Sequence, residues 1–92
     1  MSEETILTKH PTGKAGKRIS KKKYDLVKEN ILSSLGNTEL SHSELFDDVN
    51  RKLKGKFDGD ISWYAETVKL DLEARKVIER IGSKPQKYRL IC

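Results

Sequence analysis

Residues 60–92 read DISWYAETVKLDLEARKVIERIGSKPQKYRLIC, and the change of period along this stretch decides the fold. From Asp60 to Arg75 the apolar residues recur at helical spacing. Ile61, Ala65, Val68 and Leu72 make one stripe, and Trp63, Thr67, Leu70 and Ala74 make a second on nearly the opposite side. Glu66, Lys69 and Glu73 fall on one polar flank, with Asp71 and Arg75 on the other. The spacing predicts a helix over about 61–75, capped by Asp60 or Ser62. Past Lys76 the pattern becomes β-branched. Val77 to Ile81 reads as a strand, Gly82 to Gln86 as a turn, and Lys87 to Ile91 as the returning strand. Tyr88 and Leu90 are expected to face the core, and Lys87 and Arg89 solvent.

Upstream, two more helices are legible. Ser20 is a good N-cap, and Ile19 before it is placed to pack on Tyr24 as a hydrophobic staple. Tyr24, Val27, Ile31 and Leu35 follow on one face, with Leu32 beside them, until Gly36 supplies a C-terminal cap; this helix spans about 20–35. Asn37 to Leu40 is a connector that could lie extended beside the hairpin. Ser41-His42-Ser43-Glu44 then matches a capping box ahead of Leu45, Val49 and Leu53, which predicts a helix over about 42–54. Gly55 to Gly59 is a turn whose Phe57 folds back on the core. Residues 1–18 contain Pro11, Gly13 and Gly16 without a helical period and read as an extended basic arm, leaving 19–92 as the folded domain.

At 92 residues the chain has room for one core, and its 35% hydrophobic content is enough to build it. No run approaches the ~20 apolar residues of a membrane-spanning helix, and the first ten residues do not pattern as a secretory signal. Cys92 is the only cysteine, which fits a cytoplasmic setting and leaves only intermolecular disulfide pairing open to it. The net charge of +5 is unevenly spread. Residues 9–23 hold Lys9, Lys14, Lys17, Arg18, Lys21, Lys22 and Lys23 and no acid, and the C-terminal hairpin carries Arg80, Lys84, Lys87 and Arg89 against Glu79. The helical body between them is mildly acidic. Three lysines in a first helical turn, where the helix dipole disfavours cations, point to an anionic partner.

The order helix, connector strand, helix, helix, strand, turn, strand is that of a winged helix-turn-helix, an α+β fold that is mostly α. The chain also resembles a family of small uncharacterised bacterial winged-helix proteins. The residues that carry the likeness are His10-Pro11, RISKKKYD at 18–25, WYAETVKLDLEAR at 63–75 and IERIGSKPQKYRL at 78–90. The resemblance covers most of residues 10–91 and implies the fold and a DNA-binding ancestry. It implies no substrate.

A catalytic reading finds little support. His10, His42 and Cys92 have no metal-ligand spacing, and Ser41 and Ser43 are better explained by capping than by a nucleophile. Gly13-Lys14-Ala15-Gly16-Lys17 fails as a phosphate loop because Pro11 stands at the first glycine position and Arg18 where Ser or Thr is required. Asp58 and Asp60 lack the length and closing Glu of a calcium loop. The expectation is a non-enzyme with no cofactor, metal or small-molecule ligand.

Double-stranded DNA is the partner that the charge pattern favours. Lys14, Lys17, Arg18, Lys21, Lys22 and Lys23 on the arm and first turn, with Lys84, Lys87 and Arg89 on the wing, are the expected phosphate contacts. Thr67 and Lys69 are the only plausible base contacts on the third helix, whose Glu66, Asp71 and Glu73 would repel phosphate. The alternative is a protein-interaction or homodimer module that uses Trp63, Leu70 and Ala74. The competing explanation of that second stripe is burial under the N-terminal arm or Phe57.

Overall fold

The structure, a computed structural model, describes residues 4–10, 12–13, 15–57, 59–82 and 86–91, with the backbone alone at Ala15. The chain is α+β, with three helices and two small antiparallel sheets. Its elements run β1 (Thr5–Lys9), β2 (Ala15–Ser20), α1 (Lys21–Leu35), β3 (Leu40–Ser41), α2 (His42–Leu53), α3 (Ile61–Ala74), β4 (Ile78–Ile81) and β5 (Lys87–Leu90).

Local signals set the helix ends. The Ser20 hydroxyl accepts the Lys23 N–H at 3.3 Å and opens α1. Gly36, at φ 42°, closes it by donating its N–H to the Leu32 carbonyl. Ser41 and Glu44 form the reciprocal capping box of α2. The Asp60 carboxylate accepts the Trp63 N–H at 3.0 Å and caps α3. At its other end α3 stops in a Schellman motif. The Val77 N–H reaches the Leu72 carbonyl, and the Lys76 N–H reaches that of Glu73. Lys76 takes the left-handed position with φ 64°, which a glycine would hold more easily. This tight stop lets β4 begin two residues after Lys76.

The core forms where the three helices meet. Tyr24, Val27, Ile31 and Leu35 from α1 pack with Leu45, Val49 and Leu53 from α2 and Ala65, Val68 and Leu72 from α3. Ile19 from β2, Ile78 from β4 and Tyr88 from β5 close it, and Phe57 and Leu90 pack against it as expected. In the second sheet β5 lies between β3 and β4, with Leu40 opposite Tyr88 and Ile78 opposite Leu90. The connector strand beside the C-terminal hairpin is therefore present. Among the described residues no helix is long and apolar enough to cross a membrane.

The described residues of the N-terminal segment are extended, as β1 paired with β2, whose register runs from Thr5 opposite Ser20 to Lys9 opposite Ala15. The pairing slips between Leu7 and Lys9. There the Thr8 hydroxyl fills in for the backbone, accepting the Lys17 N–H at 2.8 Å and donating to the Lys17 carbonyl at 3.0 Å. Gly16 is required at this bulge because an added Cβ would lie 1.7 Å from the Thr8 carbonyl oxygen. The hairpin packs on both α1 and α3.

Candidate nucleic-acid interface

Helix α3 is held from three sides, and this determines which of its polar residues can meet a partner. Its Ala65, Val68 and Leu72 stripe faces α1 and α2. The flank carrying Asp71 and Arg75 lies under the N-terminal hairpin. Asp71 is fully buried; it accepts the Lys9 backbone N–H at 2.8 Å, the Tyr24 hydroxyl, and the Arg75 Nε–H. Burial, and then the hydrogen bond to Asp71, push the Tyr24 phenol well above its ordinary range, so it stays a donor. The hydrogen bond with Asp71 likewise raises Arg75.

The opposite flank lies under the C-terminal hairpin. Lys69, expected to reach DNA, is 1% exposed and turned inward. Its Nζ donates to the Tyr88 hydroxyl at 3.2 Å and sits 3.4 Å from Glu66 and 3.6 Å from Glu73. Glu73 also pairs with Arg80, and Glu66 with His42 at 3.2 Å. Burial pushes Glu66 up, but hydrogen bonds from His42 and Lys69 outweigh it and hold the carboxyl below its usual value. Lys69 and Asp71, one on each polar flank, are thus both buried. A buried charge needs a partner, and each hairpin supplies one.

The second stripe of α3 divides. Thr67 and Leu70 are half-buried and share a cavity of about 130 Å³ with Thr8, Lys9, His10, Gly16 and Lys17, so the N-terminal hairpin covers them as one reading anticipated. Ala74 is also half-buried. Trp63 remains 43% exposed, its ring edge-on to Tyr64 at 5.0 Å between centroids. Tyr64 in turn meets Phe57 at 5.0 Å.

The expected phosphate contacts fall into distinct groups. Lys14 and Lys84 lie outside the described residues. Lys17 and Arg18 are exposed on β2, Arg18 donating to the Thr5 hydroxyl at 3.2 Å. Lys21 pairs with Asp25 at 2.9 Å, and that hydrogen bond raises its ammonium pKa. Lys22 is exposed beside Glu4 and Asp25. Lys23 places its Nζ 5.4 Å from the Tyr64 ring and 5.8 Å from Phe57, within cation–π range. On the C-terminal hairpin, Lys87 is half-buried, and Arg89 is tied to Glu79 at 2.7 Å and to Glu39 at 3.9 Å. Among the described residues, positive charge without an ion pair is therefore concentrated on β2 and the first turn of α1.

Three contributors carry no such signal in the sequence pattern. Tyr64 and Phe57 form the aromatic bed of Lys23, and Asp71 fixes the N-terminal hairpin. The β-branched Thr5, Ile6 and Thr8, ahead of the sequence Pro-Thr-Gly, are the available signal for that hairpin. Nothing local distinguishes Asp71 from a solvated acid.

A family model described as a family of unknown function, DUF6958, matches residues 5–88. The chain belongs to that family. No curated protein and no solved structure matches it.

Proposed function

We propose that this chain is a cytoplasmic winged helix-turn-helix protein that binds double-stranded DNA through phosphate contacts, with modest sequence specificity and a role in transcriptional regulation. The fold part of the reading draws on the element order and on a three-stranded sheet in which the connector strand pairs with the returning strand of the hairpin. The observation that carries the binding part is the group Lys17, Arg18, Lys22 and Lys23. These four make no ion pair among the described residues and crowd the strand and helix end that bracket Ser20. Cations at a helix N-terminus are unfavourable on their own, and a polyanion removes that penalty. Helix α3 contributes little direct base reading, because Lys69 is buried and Thr67 is half-covered.

A salt titration of duplex binding tests this. Each cation that displaces counterions contributes about −0.9 to the slope of log K against log salt. Replacing Lys17, Arg18, Lys22 and Lys23 with Gln should flatten the slope by about 3.6. An unchanged slope, or no duplex binding at low salt, sinks the reading. Point substitutions are preferable to removing residues 1–18, which would delete β1 and four of the six residues of β2.

The exposure of Trp63 favours a second reading, a homodimer or protein partner docked on that side of α3. It predicts that Trp63→Ala lowers the mass measured by light scattering while the fold is kept.

A further inference from the structure

Trp63 is the one large aromatic side chain that the described residues leave exposed. It stands in the first turn of α3. One helical turn on, Thr67 shares the small cavity with Lys17. On the other side, Trp63 meets the edge of Tyr64, and Lys23 lies over the Tyr64 ring. Lys17 and Lys23 make no ion pair among the described residues, and each lies against a neighbour of Trp63, Lys17 lining the cavity with Thr67 and Lys23 over the Tyr64 ring. The nearest acids are already engaged. Asp60 caps the Trp63 N–H, and Glu66 is shared between His42 and Lys69.

A surface meant only for a duplex backbone gains nothing from a half-exposed indole, because paired bases keep their faces stacked on one another. An unpaired base offers a π-face that can lie on Trp63 while its neighbouring phosphates meet Lys17 and Lys23. We infer that Trp63 is a stacking platform for an unpaired base in single-stranded DNA, with Lys17 and Lys23 as the phosphate contacts on either side. The inference rests on the phosphate-binding cations of the reading above and adds to the duplex proposed there a single-stranded form of DNA that the same surface takes.

Trp63 is the only tryptophan, so its fluorescence reports on the site directly. The experiment titrates the full chain with a single-stranded thymidine 12-mer, the same 12-mer as RNA, and a blunt duplex of equal length, following Trp63 emission and, separately, anisotropy of labelled probes. The expected result is strong quenching by the single strand, weak quenching by the duplex, and tighter binding of the single strand. Trp63→Ala should weaken single-strand binding by roughly 10-fold or more while changing duplex binding less than about 2-fold, and Trp63→Phe should keep most of the affinity. Single-strand binding without quenching overturns the inference, as does equal loss on both DNA forms. A dimer that Trp63→Ala dissociates, or binding confined to the RNA probe, also overturns it. If the duplex binds through the four cations but the single strand is not preferred, this inference alone fails. If neither form of DNA binds, the DNA-binding reading fails with it.

Discussion

At the scale of single residues, the two buried charges of α3 have different expected energetics. Asp71 joins three donors from separate parts of the chain, among them Lys9, sixty-two positions away. Asp71→Ala leaves the Tyr24 hydroxyl and the Arg75 guanidinium facing a void. It should lower the unfolding free energy by about 3 kcal/mol, measured as the shift in urea midpoint. Tyr24→Phe removes one hydrogen bond and should cost about 1 kcal/mol. Lys69 is in a different position, since Glu73 keeps Arg80 and Glu66 keeps His42 when the amine is removed. Lys69→Met preserves volume and should change stability by about 1 kcal/mol or less. Because its amine does not reach the surface, the same substitution should leave the salt dependence of DNA binding unaltered.

At the scale of elements, the helix ends offer the sharpest tests. Lys76 holds a left-handed conformation at the end of α3 and is exposed, so its side chain gives little in return. Lys76→Gly should raise stability by about 0.5–1 kcal/mol, the relief of strain being partly offset by the added freedom of the unfolded chain. Helix α2 carries a pH dependence of definite sign. Hydrogen bonds from the Ser41 backbone and side chain hold the Glu44 carboxyl below its ordinary value. The Ser34 hydroxyl, and after it Lys52, do the same for Asp48 against the opposing effect of burial. Both carboxyls have folded values below their unfolded ones. Their contribution is fully present above the unfolded values near ~4 and is lost as pH falls through the folded ones. Melting temperature should hold steady from pH ~7 to ~5 and then fall in acid. Glu44→Gln should shrink the acid-side fall while lowering stability at neutral pH.

At the scale of the whole molecule, the N-terminal hairpin is part of the fold. It supplies Ile19 to the core, covers Thr67 and Leu70, and gives Asp71 one of its donors. Deleting residues 1–18 should therefore destabilise the domain by at least about 2 kcal/mol, a drop of roughly 10 °C in Tm by scanning calorimetry. A flexible arm would leave Tm unchanged. Much of this molecule was legible beforehand. Ser20, the Ser41–Glu44 box and Asp60 announce helix starts because capping is a local interaction between residues three apart. Tyr88 and Leu90 declare their inward face through strand alternation. The candidate interface was legible only in part. Lys17, Arg18, Lys22 and Lys23 stand out as a run without acids, whereas Tyr64 and Phe57 under Lys23 come from a turn and a helix far along the chain.

What the sequence by itself determined is the set of elements and their order, three capped helices and a C-terminal hairpin behind a basic N-terminal segment. Those features arise from periodicity and from contacts within one or two turns. Only the tertiary structure decided how α3 is used. Its flanks read as polar, and the fold places Lys69 under the C-terminal hairpin and Asp71 under the N-terminal one, each partnered within the protein. Long-range pairing leaves no trace in local spacing, because an acid that will meet a hairpin and an acid that will meet water occupy the same helical position. Trp63 is one of three apolar residues, with Leu70 and Ala74, whose fate the pattern leaves open. The docked hairpin covers Leu70 and stops short of the indole, leaving Trp63 as the exposed aromatic beside the cations.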